Sequence, residues 1–68
     1  MRDQIEKLVQ EMLDKGILYD DARREFEKMF ISRALQRSNG SVGDAAELIG
    51  LHRNTVARKM IEYRIKRA

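Results

Sequence analysis

SVGDAAELIGLHRNTVARKMIEY, from Ser41 to Tyr63, is the stretch whose reading decides the fold. It predicts two short helices joined by a tight turn at Gly50-Leu51-His52. Ala45, Ala46, Leu48 and Ile49 give the first helix its apolar side, and the adjacent alanines let another helix approach closely. In the second, Val56, Met60 and Tyr63 recur at i, i+4 and i+7 and so share one face. Asn54, Ala57 and Arg58 then point outward. A helix pair with a glycine elbow and a second helix that is polar and basic outside is the pattern of a DNA-binding helix-turn-helix.

Working outward, Asp3 is expected to cap a first helix with Ile5, Leu8, Val9, Met12 and Leu13 on one side, stopped by Lys15 and Gly16. Asp20 or Asp21 is expected to cap a second helix running from about Ala22 to Gln36 or Arg37. Its apolar residues, Ala22, Phe26, Met29, Phe30, Ile31, Ala34 and Leu35, cover more than one stripe. One face suits the helix-turn-helix unit, and the other suits a second copy of the chain. A symmetric homodimer with a four-helix bundle core satisfies both, with Leu8, Met12, Phe26, Phe30 and Ile31 at the interface. The division expected is dimerisation helices over 1–40 and a helix-turn-helix over 41–68, within one compact all-α domain. Ser38 to Gly43 reads as the loop between them.

Sixty-eight residues bury only about 60% of the unfolded chain's surface, so a lone monomer has a marginal core. Charged residues make up 37% and proline is absent, which favours helices and leaves no alternating strand signal. Without cysteine, a disulfide framework, a thiolate metal site and a cysteine nucleophile are excluded together. No apolar run approaches the roughly 20 residues that span a bilayer, so a soluble, cytoplasmic protein with no membrane partner is expected.

The net charge of +3 says less than its distribution. Residues 1–40 carry eight basic and eight acidic side chains, whereas residues 41–68 carry six basic and three acidic. Five of those cations, with Arg53 ahead of them, lie in the second motif helix and the tail behind it: Arg58, Lys59, Arg64, Lys66 and Arg67. Arg53, Asn54 and Arg58, near the helix start, suit base edges: arginine forms a pair of hydrogen bonds with guanine, and asparagine with adenine. Lys59, Arg64, Lys66 and Arg67, further along, suit phosphates. Thr55 either donates to a phosphate or packs at the elbow.

Chemistry other than binding finds little support. His52 has no orienting partner or nucleophile beside it in the sequence, and an N-cap position on the second motif helix explains it better. Asp44 and Glu47 serve the dipole at the start of the first motif helix. Gly40-Ser41-Val42-Gly43 matches the GxxG loop of an RNA-binding module that needs strands this chain does not offer, and no phosphate-binding GxxxxGK[ST] is present. No enzyme activity, cofactor or metal is expected. The runner-up is a helical module whose basic last helix docks on a protein groove or membrane surface, a reading to which Ile61 and Ile65 lend themselves.

At Ala45-Ala46-Glu47-Leu48-Ile49-Gly50-Leu51, followed by Arg53-Asn54-Thr55-Val56 and Arg58-Lys59-Met60, the sequence resembles the Fis-type helix-turn-helix. That module occurs in Fis and at the C-terminus of NtrC-like enhancer-binding activators. Phe26 to Ile31 with Ala34-Leu35 resembles the same family's long dimerisation helix. The resemblance implies a homodimer on a partly palindromic duplex site. It points to His52, Arg53, Thr55 and Arg58 for DNA contact, with Ser41 and Lys59 on the backbone. Gly43 stands where the family often caps its first motif helix with Ser or Thr, and His52 stands where a Ser or Asn cap is common. In an NtrC-like activator, a receiver domain and an ATPase acting on the nitrogen-type sigma factor would accompany the module.

Overall fold

The computed structural model describes residues 1–66 as four helices: α1 Arg2–Asp14, α2 Tyr19–Arg37, α3 Val42–Ile49 and α4 Arg53–Tyr63. No strand occurs among the described residues. The core forms where α2, α3 and α4 meet. Ile31, Ala34 and Leu35 of α2 pack with Ala45 and Ala46 of α3 and with Val56 of α4, and Val42, Ile49, Met60 and Ile65 close around them. Ala45 and Val56 are 0% exposed. At the centre, then, the alanines admit the neighbouring helices while the branched side chains fill the space between them.

Helix α1 contributes no buried residue. The extensive helix contacts run from α2 to α3, α3 to α4 and α2 to α4. The radius of gyration, 13.4 Å, exceeds the about 11 Å of a compact domain this size, as a helix standing off the rest requires. α2 has two apolar sides, as its composition suggests. Ile31, Ala34 and Leu35 face the core, while Phe26 and Phe30 remain 60% and 49% exposed with their rings 5.4 Å apart.

Several expectations are corrected. Ile31, expected at a partner interface, is 2% exposed within the chain's own core, one turn before Leu35. Leu48, expected on the inner side of α3, is exposed and lines a groove with Phe26, Met29 and Phe30. α1 begins after Met1 with no side-chain cap, so Asp3 lies inside its first turn. α2 begins at Tyr19 behind an extended Leu18, which places Asp20 and Asp21 in the first turn rather than at the cap. There they still oppose the helix dipole, and Asp20 also pairs with Arg23 at 3.0 Å. The loop between α2 and α3 ends at Ser41, whose hydroxyl oxygen accepts from the Asp44 N–H at 3.2 Å. The cap absent from Gly43 is thus supplied two residues earlier.

Candidate nucleic-acid interface

The elbow follows from Gly50. Its φ of +75° lies in the left-handed region, and this turns the chain so that the Leu51 N–H reaches the Ala46 carbonyl at 2.9 Å. His52 is extended and forms the N-cap of α4. Its Nδ1 accepts from the Asn54 N–H at 3.0 Å, while its carbonyl accepts from the N–H groups of Thr55 and Val56. An accepting Nδ1 places the ring proton of the neutral imidazole on Nε2. The cap therefore fixes which edge of the ring donates.

Beyond the cap, Arg53, Asn54, Ala57 and Arg58 are exposed on one side of α4, and Val56, Met60 and Tyr63 line the opposite side. Thr55 is half-buried and its Oγ1 lies 3.4 Å from Arg58 Nη2. That contact draws the Arg58 guanidinium back toward the first turn of α4. Neither Arg53 nor Arg58 has a carboxylate partner among the described residues. Helix and capping residues thus gather exposed hydrogen-bond donors at one end of α4, of the kinds that pair with base edges. Ser41, at the start of α3, keeps a hydroxyl proton to donate after accepting from Asp44. Arg64 and Lys66 are exposed beyond α4, and Arg67 lies outside the described residues.

Lys59 is placed differently from expectation. Its Nζ lies 3.1 Å from Glu27 Oε1 on α2, and both side chains are half-buried. The Tyr63 hydroxyl donates to the same Glu27 oxygen, and Arg23 Nη1 stands 3.6 Å away. The hydrogen bond from Tyr63 holds the Glu27 carboxyl below the ordinary carboxylate range; Lys59 and Arg23 add to the effect, against the opposing cost of burial. The same bond pushes the Tyr63 phenol above its usual value. Arg24 stacks over the Tyr63 ring at 5.9 Å. Periodicity identifies Tyr63 as a core residue but cannot identify Glu27, 36 positions away, as the partner of its hydroxyl.

Among the described residues no cluster of His, Cys, Asp and Glu could hold a metal ion, and no helix is long and apolar enough to cross a membrane.

A three-helix core carrying a glycine elbow and an exposed, capped second helix is a helix-turn-helix domain. The model of the Fis family of bacterial regulatory proteins matches residues 22–63, and the chain belongs to that family. It is also 44% identical over 43 residues to the DNA-binding transcriptional regulator NtrC of Azospirillum brasilense. That alignment covers 63% of this chain and 9% of the relative, so the chain spans a small part of that protein's length. The family match begins at Ala22 and leaves α1 outside it. No solved structure matches the chain.

Proposed function

We propose that the chain is a sequence-specific, duplex-DNA-binding module of a bacterial transcription regulator, built as a homodimer and serving as the C-terminal domain of an NtrC-like activator in the cytoplasm. The observation that carries the reading is the exposed start of α4. There His52, Arg53, Asn54 and Arg58 present donors outward with no acidic partner among the described residues. The first turns of α4 enter the major groove, where Arg53 and Arg58 seek guanine and Asn54 seeks adenine. Thr55 steadies Arg58, and Ser41, Arg64 and Lys66 meet phosphates. α1 and the outer face of α2 supply the second copy, through Leu8, Met12, Phe26 and Phe30, so that two half-sites are read together.

Support for docking on a protein groove or membrane surface reduces to Ile61, 80% exposed on α4. Ala57, Arg58 and Glu62 around it do not extend it into an apolar stripe.

Selection on random duplexes, followed by titration across salt, tests the proposal. We expect one partly palindromic site to be enriched and log affinity to fall by about 0.9 per phosphate neutralised for each unit of log salt. Arg58→Ala is expected to cost about 1–3 kcal/mol on that site and much less on random DNA. Binding that ignores salt, or a selection that enriches nothing, would sink the DNA reading. Equal loss on both duplexes would make Arg58 a phosphate contact.

A further inference from the structure

On the proposed DNA-binding reading, we infer that Glu27 is a positioning residue that governs how strongly, and at what half-site spacing, α4 binds DNA. It does so by fastening the far end of α4 to α2 and by holding Lys59 away from the phosphates. Two side chains one turn apart on α4 converge on one oxygen of Glu27: the Lys59 ammonium at 3.1 Å and the Tyr63 hydroxyl. The neighbouring Arg58 is exposed and reaches back one turn to Thr55 instead of to Glu27. Glu27 thereby sorts two consecutive cations into different tasks. Arg58 remains outward for bases, and Lys59 is neutralised within the chain.

The consequence for recognition has two parts. A cation free to meet phosphates strengthens binding to every sequence alike, so withholding Lys59 lowers affinity for the selected site and for random duplex by the same factor. In a dimer joined through α2, the separation and tilt of the two α4 helices depend on how each is fixed to its own α2. The Tyr63–Glu27 bond therefore bears on which half-site spacing is accepted.

Three single substitutions in the full chain separate these parts, with affinity measured on the selected site and on random duplex across salt. Glu27→Gln is close in shape and keeps an oxygen for Tyr63, but releases Lys59. It is expected to tighten binding to the selected site and to random duplex by the same factor and to steepen the log-log salt slope by about 0.9 on both. Tyr63→Phe is expected to leave the slope unchanged and to widen the range of half-site spacings recovered by selection. Lys59→Gln is expected to leave random-duplex affinity as in the wild type. A Glu27→Gln slope and random-duplex affinity equal to wild type overturn the inference, as does a loss of random-duplex affinity in Lys59→Gln. If the wild type itself shows no selective duplex binding, the proposed function falls. Amide hydrogen exchange then decides the clasp alone: protection in the last turns of α4 should drop in Tyr63→Phe, and unchanged protection overturns it.

Discussion

His52 caps α4 through one nitrogen and is proposed to meet DNA through the other, and each role can be tested separately. Nδ1 satisfies the Asn54 N–H, one of the donors that the first turn of α4 would otherwise leave unpaired, and the Nε2 proton faces away from that bond. His52→Ala removes both and is expected to lower stability by about 1 kcal/mol, read as a lower urea midpoint with unchanged m-value. His52→Asn restores a capping oxygen and is expected to hold the wild-type midpoint, while binding-site selection shifts at the base proposed for Nε2. A wild-type midpoint in His52→Ala would show that the cap contributes nothing. The capping role is legible in the sequence because His52 sits between a glycine elbow and a periodic helix. The cap of α3 is less legible: Gly43 has no side chain to cap with, yet the helix starts earlier and Ser41 supplies the cap.

Between elements, the Tyr63–Glu27 bond links α4 to α2 and leaves a signature at both ends of the pH range. Glu27's folded-state value is depressed, so its contribution is present above the ordinary carboxylate range and is lost as pH falls through that range toward the folded value. Tyr63's value is raised, so its contribution is present below the ordinary phenol value and is lost as pH rises past it. A single bond thus predicts a plateau bounded by acid and alkaline losses. Tyr63→Phe is expected to flatten the alkaline limb and reduce the acid limb together, as followed by thermal unfolding from pH 3 to 11. A mutant whose two limbs match the wild type would show that the bond does not couple the helices. The apolar periodicity of α4 predicts which face packs inward, as Val56, Met60 and Tyr63 confirm. It is silent on polar partners, because these depend on where a separate helix comes to lie. The same limit explains Lys59, which as a sequence feature is indistinguishable from a phosphate-binding lysine, and Ile31, whose side of α2 is settled only once α3 is docked.

For the molecule as a whole, the decisive feature is apolar surface that the single chain does not cover. Ile5, Leu8, Val9 and Leu13 share one side of α1 and all are exposed, and Phe26, Met29 and Phe30 extend the apolar surface along α2. Surface of this extent on so small a domain supports the proposed interface, and a second copy would offer the same surface in return, as a two-fold dimer requires. The charge argument agrees, since residues 1–40 balance eight acids against eight bases and so offer no repulsion of net charge between two copies. Sedimentation equilibrium of the wild type is therefore expected to give two chains of 8.0 kDa. Phe30→Asp places a charge on the exposed face of α2 and is expected to give one chain with its α2–α3–α4 core retained. Ile31→Asp, one residue further, places the same charge inside that core and is expected to unfold the chain instead. The pair separates interface from interior at adjacent positions. A Phe30→Asp variant that keeps the dimer mass, or a wild type that sediments as one chain, would remove the second α4. The selected site would then have to be read by a single helix, without the palindrome.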